Sequence, residues 1–151
     1  MKSLETLSDL LCPSNYRVGG KNGVEEATFG DMELRKKGWI GNPQVAEKAA
    51  QIPGVIEAFL PVIQKNIATA TDPARRLSWQ YLTYHAEICT RFSRLLRAGA
   101  EGSLEEAQKR YFELESWLSR HEMEFHRGFD VFLFLRSLRF KVDLPNINYY
   151  T

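Results

Sequence analysis

Two long runs of helical periodicity, separated by only a few residues, constrain this chain more than any other feature of its sequence. The first opens at Asp72-Pro73, an acceptor side chain at the N-cap followed by a proline whose missing N–H has no helical partner to lose. Leu77, Tyr81, His85, Ile88, Phe92 and Leu95 then recur in steps of three and four, with Leu82, Cys89 and Leu96 widening the stripe. Gly99 stands where helices commonly end. At about 1.5 Å per residue such a helix is roughly 40 Å long. The second run opens at Ser103-Leu104-Glu105-Glu106, the pattern of a capping box, in which the serine oxygen takes an orphan N–H and the glutamate reaches back to the serine N–H. Its stripe is Leu104, Ala107, Tyr111, Leu114, Leu118, His121, Phe125, Phe129 and Phe132. A connection over 99–102 forces antiparallel neighbours, so 72–98 and 103–127 are expected to form an αα-hairpin.

The preceding stretch adds helix to this pair. Asn42-Pro43 repeats the cap-plus-proline signal, and Val45, Ala46, Ala49 and Ile52 give the next turns an apolar side. Pro53 is expected to end or kink that segment, and 54–69 to continue with Ile56, Phe59, Leu60, Ile63 and Ile67 at helical spacing, bent at Pro61. The first third has a different texture, with Gly19, Gly20, Gly23, Gly30, Gly38 and Gly41 scattered among polar residues. The expected architecture is therefore all-α: a helical bundle over 42–151 built on a long antiparallel hairpin, with 1–41 an irregular, Gly-rich segment packing on it within a single domain. One short strand pair is the only regular structure that segment suggests.

Composition narrows the function classes. The chain of 151 residues carries 20 Lys+Arg against 19 Asp+Glu, a net charge of +1, whereas non-specific nucleic-acid binding works by neutralising phosphates and leaves a basic stripe. No nucleic-acid partner is expected. The longest clean apolar run, 131–135, is far too short to span a bilayer, so no membrane partner is expected either. The segment 1–11, interrupted by Glu5 and Asp9, lacks the make-up of a signal peptide. Cys12 and Cys89 have no metal-ligand spacing and read as two reduced thiols.

Three constellations could carry chemistry. His85 and His121 both lie on apolar stripes, and Cys89 follows His85 by one turn, which makes a metal edge conceivable. Counting equally from the loop sets His85 opposite about residue 116 and His121 opposite about residue 80, some 7 to 8 Å of offset, and no acidic pair supplies further ligands. Core histidines bonded to a carbonyl or tyrosine are the competing reading. Glu122, His126 and Asp130 fall at i, i+4 and i+8, either an acid-base row or part of an ion-pair network with Arg75 and Arg76, expected opposite about 125 and 126. Gly19-Gly20-Lys21-Asn22-Gly23 lacks the Lys-Ser/Thr ending of a phosphate loop and reads as a turn. Trp39, Trp79 and Trp117, with Tyr149 and Tyr150, could stack on sugar rings, although Trp79 and Trp117 lie beside packing stripes. These patterns assign no catalytic, cofactor-binding or metal residue.

The residues Trp79-Gln80-Tyr81-Leu82, His85-Ala86-Glu87, Ala98-Gly99-Ala100-Glu101-Gly102, Glu106-Ala107, Leu114, Trp117-Leu118, Glu122 and Phe129-Asp130-Val131-Phe132-Leu133-Phe134 together form a pattern. It resembles the C-terminal helical region of large bacterial glycoside-hydrolase-like proteins related to α-glucuronidases and β-hexosaminidases. The resemblance covers about 42–140. In such proteins the catalytic carboxylates belong to a (β/α)8 barrel, for which this chain has neither the length nor the alternating elements. The resemblance therefore implies a non-catalytic helical accessory module, with carbohydrate and the catalytic domain of a parent protein as its associations. The alternative is a free-standing helical bundle with a polar or metal site among His85, His121 and Glu122.

A partner surface is also legible. Phe129, Val131, Phe132, Leu133, Phe134, Leu135, Leu138 and Phe140 cover nearly every direction around a helix, whereas a surface helix needs one apolar stripe. Residues 129–140 are expected to meet the segment 4–11, the Gly-rich third, a second copy of the chain, or a parent's catalytic domain.

Overall fold

The computed structural model describes residues 38–128 and 130–144, with four helices and no strand among them. They are α1 (Pro43–Thr69), α2 (Pro73–Ala100), α3 (Leu104–Phe125) and α4 (Val131–Val142). The all-α reading holds for these residues. The glycine cluster at 19–23, the segment 4–11, Cys12, Phe129, Tyr149 and Tyr150 lie outside them.

α1 starts as its sequence predicts, with Asn42 Oδ1 accepting from the Gln44 N–H at 3.1 Å. It does not end at Pro53, one of the two outcomes expected there. The helix runs unbroken through Pro53 and Pro61, and its buried residues Val45, Ala49, Ile56, Phe59 and Ile63 form one continuous side across both. An interior proline costs a helix about 3 kcal/mol, but a stripe of large apolar side chains packed on a neighbour outweighs such a local preference. That neighbour is α2, against which α1 packs more extensively than any other helix pair.

α2 is capped by Asp72, whose Oδ1 accepts from the Ala74 N–H at 3.1 Å. Its stripe is buried only in the second half. Residues 73–78 are exposed, Leu77 among them, whereas Ile88, Cys89, Phe92, Leu95 and Leu96 are at most 4% exposed. Ser93, fully buried between them, satisfies its hydroxyl on the Thr90 carbonyl at 2.8 Å.

The α2–α3 turn corrects two readings. The helix ends not at Gly99 but at Ala100, and Gly102 at φ +88° is the left-handed residue that stops it. The Gly102 N–H donates to the Gly99 carbonyl and the Ser103 N–H to the Ala98 carbonyl, each at 3.0 Å, the paired bonds of a Schellman ending. Ser103 makes no side-chain cap bond, and Glu106 turns instead to Arg110 at 2.7 Å, so the capping box does not form. The ion pair on the helix surface competes for the same carboxylate and wins.

Gly99 has a different task. A Cβ there would overlap the benzo ring of Trp39, which is 7% exposed and lies directly on this stretch of α2. Trp39 Nε1 donates to the Val142 carbonyl at 2.9 Å, and the Gly41 N–H donates to the Gly99 carbonyl at 2.9 Å. Gly38 at φ +73° and Gly41 at φ +66° let the chain turn on either side of the tryptophan.

α3 ends at Phe125, two residues short of the expected limit, and the chain turns through Gly128 before Asp130 caps α4 by accepting from the Leu133 N–H at 2.9 Å. α4 buries Val131, Leu135, Leu138 and Val142, positions i, i+4, i+7 and i+11 of one stripe. Arg139 fixes it to α3, donating from Nε to the Tyr111 hydroxyl at 3.0 Å and from Nη2 to Glu115.

Unfolding by denaturant should rank these contacts. Leu118→Ala, at a fully buried α3 position, should cost about 2 to 5 kcal/mol. Gly99→Ala should cost about 1 to 3 kcal/mol through overpacking on Trp39, and Gly102→Ala about 1 to 2 kcal/mol through its left-handed backbone alone. A neutral Gly99→Ala would show that Trp39 does not sit on α2.

Candidate functional site

The hairpin interior is lined by a run of rings. Tyr84 on α2 meets Phe125 on α3 at a centroid distance of 5.2 Å and Trp117 at 6.4 Å. His121 stacks on Trp117 at 4.5 Å, with 23° between the planes, and the Arg91 guanidinium lies 5.3 Å from the Trp117 ring centre. Glu87 holds Arg91 in place at 2.7 Å. Trp39 and Trp117 are thus interior residues, and neither offers a free face for stacking on a sugar.

These contacts shift the register from the one that equal counting predicts. Arg91 faces Trp117, Tyr84 faces Phe125, and Tyr81 packs on Gly128, which sets His85 opposite about residue 123 or 124 rather than 116. Part of the difference is the later turn at Gly102. The rest is side-chain direction: residues on a helix lean toward its N-terminus, so on antiparallel helices the leaning displaces the two members of a pair in opposite senses along their sequences.

The histidines take separate roles. His121 Nδ1 pairs with the Trp117 carbonyl at 2.8 Å, within its own helix. His85 is largely buried with Cys89 Sγ 3.7 Å from its Nδ1, and burial pushes its imidazole pKa below the usual value. The same burial pushes the Cys89 thiol up to about 12, so at neutral pH it is a packed thiol rather than a nucleophile. Glu122 is exposed. Among the described residues no group of three His, Cys, Asp or Glu could hold a metal ion.

The row of Glu122, His126 and Asp130 does not share one helix face. α3 ends between the first two, His126 pairs through Nδ1 with the Met123 carbonyl at 2.9 Å, and Asp130 serves as the α4 cap. Nor do Arg75 and Arg76 cross to it: Arg75 lies 4.0 Å from Asp72, and Arg76 donates to the Ala70 carbonyl at 2.8 Å. Sequence reading missed the break because the apolar stripe continues in step through Phe125 and Phe132. The signal was Gly128 followed by Asp130, a turn residue and then an N-cap.

Two features face outward. One is a cleft of about 210 Å³ between α2 and the α3–α4 turn, walled by Tyr81, Leu82, Tyr84, His85, Ile88 and Phe125. Ser78 stands at it, and Gly128 closes it where a Cβ would come within 3.0 Å of the Tyr81 ring. The Tyr84 hydroxyl donates to Glu124, and that bond, with burial, pushes its pKa up to about 12. The other is the outer side of α4, where Phe132 is 71% and Leu133 57% exposed.

The neutral His85 gives a pH dependence of fixed sign. Its folded pKa lies below the unfolded value near 6.5, so the unfolded chain binds the extra proton first as pH falls. The His85 contribution to stability should be complete above about pH 6.5 and decline below it by up to about 1.4 kcal/mol per pH unit, until the folded imidazole protonates as well. Urea midpoints between pH 7.5 and 5 should fall less steeply in His85→Gln than in the parent. In a Cys12→Ser background, Cys89 should react with a thiol reagent only as the chain unfolds. Rapid labelling of the native protein would contradict its burial.

No family model, no curated protein and no solved structure matches this chain.

Proposed function

We propose that the chain is a non-catalytic helical module whose work is to make a protein–protein contact through the outer side of α4. The observation that carries this is the double apolar character of that helix. Val131, Leu135, Leu138 and Val142 saturate its inner stripe, yet Phe132 on its flank and Leu133 on the opposite side keep most of their surface in water. A helix that only completes a bundle has no use for them, and contiguous apolar surface on a soluble protein marks an interaction site.

The resemblance to helical regions of glycoside-hydrolase-like proteins supports the same role, as a module seated against the catalytic domain of a carbohydrate-active parent. A second copy of the chain would meet the same chemical demand. Catalysis is the weaker reading, because the residues that could have formed an acid-base row are dispersed: Asp130 in a helix cap, His126 on a backbone carbonyl. The alternative of a polar site reduces to His85 and its cleft, since His121 is engaged with Trp117 on its own helix.

Sedimentation of the full chain tests the contact. Self-association that rises with concentration and disappears in Phe132→Asp/Leu133→Asp, with helix content unchanged, is the expected result. A parent chain that remains monomeric and as soluble as the double variant, with Phe132 and Leu133 protected from hydroxyl-radical labelling by the chain itself, would overturn it.

A further inference from the structure

Along α3, Tyr111 and Glu115 are tied to α4 by Arg139, whereas Lys109, Phe112, Ser116 and Arg120 border Arg91 of α2 across an open groove of about 510 Å³. The charges of this groove are unevenly matched. Glu113, the one carboxylate among its lining residues, is held by Arg110 at 2.9 Å, and Arg91 is held by Glu87 at 2.7 Å. Lys109 lies 3.9 Å from Glu106, a carboxylate that Arg110 already holds at 2.7 Å. Arg120 donates from Nε to the Ser116 carbonyl at 3.2 Å and pairs with no carboxylate among the described residues. Two under-compensated cations thus stand at the ends of a stripe, with Phe112, 49% exposed, between them. Helix rise sets their positions roughly 16 Å apart.

The complementary pattern is in the chain itself. Between Lys21 and Arg35 every charged residue is acidic: Glu25, Glu26, Asp31 and Glu33, with Phe29 between the two pairs. An extended backbone advances about 3.3 Å per residue, so positions 26 and 31 of an extended chain stand roughly 17 Å apart, the spacing of the two cations. We propose that 24–34, which lies outside the described residues, docks in extended form in this groove of its own chain, with its acidic pairs on Lys109 and Arg120 and Phe29 against Phe112. The direction follows from where the described chain begins. Trp39 and Gly41 lie on Gly99 at the closed end of the hairpin, and Lys109 is the groove cation nearer that end. Asp31 and Glu33 therefore meet Lys109, and Glu25 and Glu26 meet Arg120. The chain from 31 to 38 reaches up to about 24 Å, whereas Lys109 stands only about 9 Å of helix rise beyond Ser103. Exposed ion pairs are weak singly, but a tethered segment is present at millimolar effective concentration, so a few of them suffice.

Cross-linking of the full chain tests this in a Cys12→Ser background, where Cys89 stays buried while the chain is folded. Thr28→Cys is combined either with Ser116→Cys in the groove or with Lys48→Cys on the exposed side of α1, and closed monomer is counted after treatment with a short bifunctional thiol reagent. The groove pair is expected to close faster by about tenfold at low salt, within the range that three exposed ion pairs give together. That advantage should vanish at about 0.5 M salt, where screening acts within a few Å. Lys109→Glu/Arg120→Glu, both at exposed positions, should abolish it, and adding Glu26→Lys/Asp31→Lys should restore it, which a general loss of folding in the first pair would not allow. Equal rates for the two cysteine pairs, or a groove rate indifferent to salt and to charge reversal, would overturn the proposal. Linked dimers in place of closed monomer would give the groove to a second copy and overturn the intramolecular assignment.

Discussion

Trp39 lying on Gly99 is the contact on which the closed end of this molecule depends. A tryptophan four residues ahead of the first turn of α1 would ordinarily be a poor anchor, but here the missing Cβ lets its ring reach the α2 backbone. Its indole N–H then finds the carbonyl of Val142, so one side chain joins the start of α1, the end of α2 and the end of α4. The hydrogen bond removes the penalty of burying a polar N–H, and the ring supplies apolar area at the point where three helix ends would otherwise leave a gap. A side chain at residue 99 would press on the tryptophan and weaken the tie it makes to the end of α4.

The second tie on α4 is the Arg139 bridge to Tyr111 and Glu115. It is partly solvent-exposed, and pairs of that kind contribute modestly to stability, so its role is mainly to fix the angle and register of α4 on α3. Burial of Val131, Leu135, Leu138 and Val142 supplies the larger share of the attachment. A short helix held at defined points, with large apolar residues facing away, presents a rigid surface, and rigidity lowers the entropic cost of docking.

Between these ends the hairpin is organised by aromatic rings rather than by aliphatic interdigitation alone. Tyr84, Trp117, His121 and Phe125 form a connected run, with Arg91 over one face and Glu124 at the far edge. The run also leaves the cleft at its open end, because ring systems of this size do not fill the corner between α2 and the α3–α4 turn. The same packing that stabilises the hairpin thus shapes the cleft beside His85.

Sequence alone determined the class and much of the layout. Asn42-Pro43 and Asp72-Pro73 act locally, through a side-chain oxygen and a missing N–H within one turn, so the starts of α1 and α2 were readable as they stand. The spacing of Leu114, Leu118 and Phe125 gave the buried side of α3 for the same reason: periodicity is a property of the backbone, independent of the partner. Tertiary structure decided the rest. Pro53 stays helical because α2 holds the stripe on both sides of it, and Gly99 is selected by a tryptophan sixty positions away rather than by a helix end. The register that sets His85 level with residues near 124 depends on how side chains lean across two helices, and the dispersal of Glu122, His126 and Asp130 depends on where α3 stops. Each of these is fixed by contacts between distant parts of the chain, to which a window of local sequence carries no information.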